Sequence, residues 1–374
     1  MRDNILIFKA FLLDSYRELN AKKMFWLVLV GSALVAMVFA CFSIEGENVF
    51  FFSYNCTSVL ESFGMQFTTP EIFFKDILFY QLGVDWWLTF FAMILAIVST
   101  GSIMPDFMSQ GSIDLSICRP VSRTKLFVIK YFSGLLFVTL QITIFTFICF
   151  LIIGFKADSW ELGLFSSIPL IVCFFSYFYC VSFFLAVFGR GTLACIIITL
   201  LFWALVGGLN VTHEVLTFLK VDEERAQTRA EERGEAFSNE DFEMLAKTYN
   251  IIESIRFFLP KSSETVHLIR RCLVNNAELN REQEKSKKAQ EEVWGRAREM
   301  RDKRDKKELS EKEKKERDTY FDDRLQEGLD IVDIKYGVEK AKRDQSFFSI
   351  LGTSFVFEFF ILGLACWKFN RKDF

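Results

Sequence analysis

The sequence predicts an all-α membrane protein. It has six transmembrane helices, an interfacial amphipathic helix before the first, and a helical extracytoplasmic insert between the fifth and sixth. Three observations predict this. Of 374 residues, 51% are hydrophobic and 16% aromatic, with 45 phenylalanines, yet 24% are charged. The charges are segregated: residues 212–345 hold 29 Lys+Arg and 32 Asp+Glu, 61 of the chain's 91. The apolar remainder falls into six runs, each near the ~20 residues of helix that cross a hydrocarbon core of ~30 Å. This distribution excludes a single soluble globular domain, a disulfide-dense secreted scaffold and a wholly disordered chain. A net charge of −3 gives no reason to expect nucleic acid.

In chain order, residues 1–23 come first. Ile5, Phe8, Leu12, Tyr16 and Leu19 recur on one helical face, with Lys9, Arg17, Lys22 and Lys23 alongside. That pattern suits a helix lying in the membrane interface. The apolar run that follows starts late and is too long for a signal peptide. The six runs are residues 24–44, 86–104, a span within 127–155 with Lys130 near its start, 168–188, 192–209, and 347–367. They are apolar all round, whereas a helix on the surface of a soluble core needs only one apolar stripe. The domain organisation read from this is 1–23, 24–211, 212–345 and 346–374.

Orientation follows from the basic residues of the short loops. The N-terminal segment carries Arg2, Lys9, Arg17, Lys22 and Lys23, and the loop after the second run carries Arg119, Arg123 and Lys125. Arg190 lies in the turn after the fourth, and Lys368, Arg371 and Lys372 follow the sixth. The alternate segments are poor in bases: Lys75 stands alone against six acids between 45 and 85, and Lys156 is alone between the third and fourth runs. Both termini are therefore expected in the cytoplasm, in a cell membrane of the bacterial plasma-membrane type. The insert is then extracytoplasmic, because long loops cross largely regardless of charge.

Within the insert, residues 214–235 favour helix. Phe242, Leu245, Tyr249, Ile252, Ile255 and Phe258 give an amphipathic helix that Pro260 stops. Val266, Leu268, Ile269 and Leu273 mark a second short apolar face, suited either to the outer membrane surface or to packing on the spans. From 276 to about 329 the chain is mostly Glu, Lys, Arg, Gln and Ala. Acid-first pairs such as Glu284 with Lys288 and Glu299 with Lys303 support a solvated helix. Apolar positions are too sparse for a coiled coil. A helix folded back on 214–235 as a hairpin is the expectation. Acids match bases throughout and Trp294 stands alone, so nucleic acid is not an expected partner.

The loop between the second and third runs reads Gly111-Ser112-Ile113-Asp114-Leu115-Ser116-Ile117-Cys118-Arg119-Pro120-Val121-Ser122-Arg123, and continues through Lys130-Tyr131. It suits a short amphipathic helix ended by Pro120, since the residue before proline avoids helical geometry. Ser122 can then cap the next helix. This loop resembles the coupling region of type-2 permease subunits of ATP-binding cassette (ABC) transporters, most strongly at Gly111, Leu115, Arg119, Pro120, Ser122, Arg123, Lys130 and Tyr131. Asp114 stands where that family more often has Glu. Arg17-Glu18-Leu19, Leu259-Pro260 and the basic tail from Phe369 are similar to further family features. The resemblance covers residues 1–209 and 346–374; the helical stretch 275–345 is not a usual family feature. It implies that loop 106–123, with Asp114, Arg119, Pro120, Ser122 and Arg123, touches a cytosolic ATPase subunit. It also implies that the interfacial helix carrying Arg17 and Glu18 lies against that partner. A second permease subunit, as homo- or heterodimer, would complete the path, and the transporter would be an exporter.

The chain lacks a Gly-x-x-x-x-Gly-Lys-(Ser/Thr) phosphate loop, so no ATPase activity is expected in it; ATP and Mg would be bound by the partner. No catalytic or metal centre is read: His213 and His267 lie 54 residues apart without ligand spacing. Most of the nine cysteines lie in or beside spans. Cys56 and Cys272, on the outer side, suit either a disulfide or two free thiols. Glu358 is the intramembrane candidate. An ionisable group at membrane depth usually faces the bundle interior or a cavity, where it contacts a substrate or proton, or else fastens spans together. Two functions follow from different classes. One is the permease subunit of an ATP-driven transporter. The other is a non-transporting membrane scaffold whose insert binds a protein or cell-envelope partner. Membrane lipid surrounds the chain in both.

Overall fold

The computed structural model describes residues 23–45, 48–57, 70–109, 122–233, 239–304 and 311–372. The interfacial helix with Arg17 and Glu18, and Asp114, Arg119 and Pro120 of the loop, lie outside these residues. The chain divides into two compact units. One comprises Met1–Val211, Glu253–Leu273 and Ser346–Phe374; the other comprises Thr212–Ile252 and Val274–Gln345.

The first unit is a bundle of apolar helices. Helix α1 covers Lys23–Phe39, α2 Pro70–Phe107, α3 Arg123–Lys156, α4 Ser167–Val187, α5 starts at Thr192, and α10 covers Phe347–Asn370. Five of these are long and apolar enough to cross a membrane, and α1 is a shorter apolar helix. The chain is thus a helical, multi-pass membrane protein. Helix is the form these segments must take, because in hydrocarbon each backbone N–H and C=O has to be satisfied within its own segment. Helix α4 is the most enclosed, with 72% of its apolar stretch buried, against 17% for α5 and for α10. The latter two turn large apolar side chains outward, among them Leu193, Leu201, Val356 and Phe360.

Helices α3 and α4 meet through stacked and edge-on rings. Tyr131 stacks on Tyr179 with centroids 5.2 Å apart, and Phe127 and Tyr131 both meet Phe183 edge-on. Gly134 permits the approach, since a Cβ there would run into the Tyr179 ring. Aromatic pairs in this range add about 0.5–1.5 kcal/mol beyond the area they bury.

Two parts of this unit depart from the sequence expectation. Residues 45–85 were expected as loop. Instead, β1 (Phe42–Glu45), β2 (Asn48–Phe51) and β3 (Tyr54–Asn55) form a small antiparallel meander, with Phe42 opposite Phe51. Helix α2 then begins at Pro70, sixteen residues before the expected span at 86, and Phe73–Phe91 winds with the wider π-helical pattern. Lys75 and Asp76, which read as loop residues, are 5% and 6% exposed and paired inside the protein. Helix α7 (Ser262–Leu273), drawn from the charged insert, packs on α2, α4 and α10 within this unit.

The second unit contains the polar end of α5, which continues to Arg233, past the expected end at 209. It also holds most of α6 (Asn239–Phe257), together with α8 (Asn276–Arg304) and α9 (Glu311–Asp344). Helix α8 pairs with α9, in place of the expected hairpin with 214–235. Leu279, Val332 and Tyr336 form its small core, and Trp294 meets Phe321 at 6.4 Å. Asp333 accepts from Gln283 at 2.8 Å and pairs with Lys287 at 2.6 Å. Apolar positions at irregular spacing on α8 find partners on α9 that a heptad count does not reveal. Between α5 and α6, His213 lies on the Tyr249 ring at 5.0 Å, and Lys220 covers the same ring.

Candidate functional site

Three places in the bundle concentrate polar chemistry: its two ends and a cavity between them.

At one end α3 begins and α10 finishes. The Arg123 guanidinium donates to the Lys372 carbonyl at 2.7 Å, and the Asn370 amide donates to Thr124 Oγ1 at 3.0 Å. Phe369 packs against Phe107 and Phe127, joining the end of α2 to the same point. Lys125, Arg190, Lys368 and Arg371 lie at these helix ends too, and among the described residues there Asp106 is the one acid. Ser122 does adopt the extended geometry of an N-cap and its carbonyl accepts from Leu126 N–H. Its side chain makes no cap hydrogen bond, contrary to the sequence expectation. The position is exposed, so water can satisfy the first turn's N–H groups without it.

The opposite end is an ion-pair network that fastens α7 down. Asp76 on α2 receives Arg270 of α7 through two parallel hydrogen bonds of 2.8 and 2.9 Å. Such a fork is the strong form of the guanidinium–carboxylate pair. Tyr80 lies beneath the Arg270 guanidinium, and its hydroxyl hydrogen-bonds His267 Nδ1 at 3.0 Å. Lys75 bridges Glu71 at 2.5 Å and Glu161 at 2.6 Å. Asn210 of α5 donates to Ser262 and accepts from Arg256, which also pairs with Glu264. The Lys261 N–H donates to Ser354 of α10 at 2.9 Å. Below this polar rim Thr265, Leu268 and Ile269 are fully buried. Cys56 and Cys272 are both free thiols.

Glu358 lies on α10, 6% exposed. Its Oε1 accepts from the Tyr131 hydroxyl of α3 at 2.8 Å, and its Oε2 from Ser176 Oγ of α4 at 2.8 Å. A buried carboxyl needs such partners, and this one ties three helices together. It also forms part of the wall of a cavity of about 440 Å³. Apolar side chains from the same three helices make up most of the rest, including Val128, Phe132, Val172 and Phe359. Phe132 and Phe359 are 51% and 70% exposed, so the cavity opens on the bundle's flank.

The structure therefore joins Glu358 to Tyr131, and Arg123 to the C-terminal tail, while Arg17, Glu18, Asp114, Arg119 and Pro120 lie outside the described residues. Sequence reasoning missed Ser176, and it missed the Asp76–Arg270 fork. An acid within a span does signal that neighbouring spans must supply donors; which residues do so depends on helix register, which no local pattern encodes. Among the described residues no group of three or more His, Cys, Asp or Glu could hold a metal ion. No family model, curated protein or solved structure matches the chain.

Proposed function

We propose that this chain is the membrane-spanning permease subunit of an ATP-driven ABC transporter of the type-2, exporter-like class. It works as a dimer with separate cytosolic ATPase subunits, which bind ATP and Mg. The proposed topology has six spans, α1 being the first, in a bacterial plasma membrane. Both termini and the Arg123 end of the bundle face the cytoplasm, and the insert faces outward. The run 111–131 carries the reading, because it resembles the family's coupling region at the right position between two spans. The concentration of bases at that end agrees with the positive-inside rule. The fastening of Arg123 to the tail supports it as well: a push on the start of α3, which is clamped to the end of α10, would reach two spans at once.

The test is co-purification of the full chain with the ATPase subunit from detergent-solubilised membranes. Arg119→Glu together with Arg123→Glu is expected to abolish capture. Arg119→Glu alone leaves the Arg123 clamp intact and is expected to weaken it, which separates lost docking from lost packing. Capture that survives both changes overturns the coupling role. Deleting residues 275–340 tests the scaffold alternative: a permease keeps its ATPase coupling, whereas a scaffold loses its binding surface.

A further inference from the structure

We propose that the cavity beside Glu358 is a binding site for a lipophilic amine, an apolar molecule bearing one basic nitrogen. The inference does not rest on the transporter reading, since binding is a property of this chain alone.

The cavity's size falls within the range of small-molecule pockets, about 300–1,000 Å³, which are mostly apolar with a few placed polar groups. Here the placed group is the Glu358 carboxyl. Among the residues lining the cavity it is the one acid, and its neighbours Val128, Phe132, Val172 and Phe359 offer hydrocarbon. Tyr131 and Ser176 hold the two carboxyl oxygens at 2.8 Å, which orients the group at the cavity wall. A carboxylate offers about four lone-pair sites, and two donors leave capacity for a third. An amine supplies that donor. Carboxyl and amine share one proton between them, so the bound pair has the same net charge whichever partner brought it. A plain hydrocarbon chain would fill the volume but leave that acceptor capacity unused, and an anion would face the acid directly. The exposed rims at Phe132 and Phe359 put the opening on the apolar flank, so a ligand arrives from the bilayer and must be lipophilic. Such a molecule concentrates in the membrane before it binds.

The experiment uses the full chain in phosphatidylcholine nanodiscs with tritiated imipramine, a tricyclic tertiary amine. Iminodibenzyl, the same ring system without the amine chain, is the competitor control. Saturable imipramine binding is expected, and Glu358→Gln should weaken it by about tenfold or more, the scale of a hydrogen bond to a charged group. Iminodibenzyl should compete weakly, and equally in both proteins. Gly363→Phe adds a ring at the cavity wall, where a Cβ meets nothing within 4 Å. It keeps the acid and its donors, and is expected to slow imipramine association; it carries the test if Glu358→Gln does not fold. Absence of saturable binding to the unaltered chain overturns the proposal, as does equal affinity in Glu358→Gln. So does Gly363→Phe that binds normally but converts a dimer to monomers, which would make the cavity an interface between copies.

Discussion

Helix α7 and the α8–α9 pair come from one charged stretch of sequence, yet they are built on opposite principles. Helix α7 sets its charge against a buried partner: its Arg270 and Asp76 of α2 have side chains only 16% and 8% exposed. Along most of its length the α8–α9 pair exposes its charges: the Glu292–Arg296 bridge is 67% and 71% exposed, and Glu284–Lys288 is similar, while Arg343 with Glu339 at the end of α9 is the buried exception. Breaking one partner of a buried pair costs about 3–5 kcal/mol, because the other charge is left stranded. An exposed pair contributes a few tenths. The same residue types therefore act as a fastener in α7 and as little more than a solvated coat along most of the α8–α9 pair. Hydrogen exchange followed by mass spectrometry of the intact, detergent-solubilised protein reads both regions at once, and each variant below is a way to widen or erase their difference.

The largest effect is expected for Asp76→Ala. It strands Arg270 and should destabilise the docking of α7 by about 3–5 kcal/mol. The α7 peptides would exchange faster while those of α8 and α9 hold their rates. Exchanging the two charges, Asp76→Arg with Arg270→Asp, should restore part of the protection. Uniform acceleration across both regions would mean that α7 is not an independent fastener.

Next comes the apolar underside. Ile269 is fully buried on α7, so Ile269→Ala is expected to cost about 2–5 kcal/mol. Ile331 on α9 is 54% exposed, and Ile331→Ala should stay within about 0.5 kcal/mol. Denaturant midpoints of the two variants check the contrast; equal shifts would sink it.

How much of this was legible in the sequence follows from the same contrast. The apolar helices were readable because long hydrophobic runs need no partner to be recognised, and α3, α4 and α10 begin and end within a few residues of expectation. The apolar face Val266, Leu268, Ile269, Leu273 was readable too, and packing on the spans was one of two fates open to it. The pairing that decided between them was not: Asp76 and Arg270 are 194 positions apart, and each alone looks like an ordinary loop charge. The π-helical start of α2 was hidden for the same reason, since Lys75 and Asp76 broke the apolar run. At Glu358 the sequence flagged the acid, but neither Ser176 nor the cavity, because both depend on how α3, α4 and α10 are rotated against one another.

A smaller effect tests the α8–α9 pair from within. Trp294 and Phe321 meet edge-on at 6.4 Å, 69° between planes. Trp294→Leu keeps an apolar side chain and removes the ring pair, an expected loss of about 0.5–1.5 kcal/mol. The faster exchange should be confined to α8 and α9. Spread to α7 would argue that the two regions share one cooperative unit.

The smallest expected effect is Glu284→Gln, and its pH dependence gives it a signature. Lys288 hydrogen-bonds Glu284 at 2.9 Å and lowers its carboxyl below the usual range, while Glu284 raises the Lys288 ammonium above its own. A lowered carboxyl contributes stability that is complete above its unfolded value, about 4.3, and is lost as pH falls through the lower folded value. A raised ammonium contributes stability that is complete below its unfolded value, about 10.4, and is lost as pH rises through the higher folded one. The pair is therefore at full strength across the neutral range. Glu284→Gln should slightly speed exchange in the first half of α8 at pH 7 and low salt. The difference should fade in 1 M salt, where the screening length is about 3 Å, and again once the carboxyl is protonated. For the buried Asp76–Arg270 fork the same salt should change little, since buried pairs are screened far less. If salt released α7 as readily as it levelled Glu284→Gln, the fork would be an exposed pair in solution and the distinction between the two regions would fail.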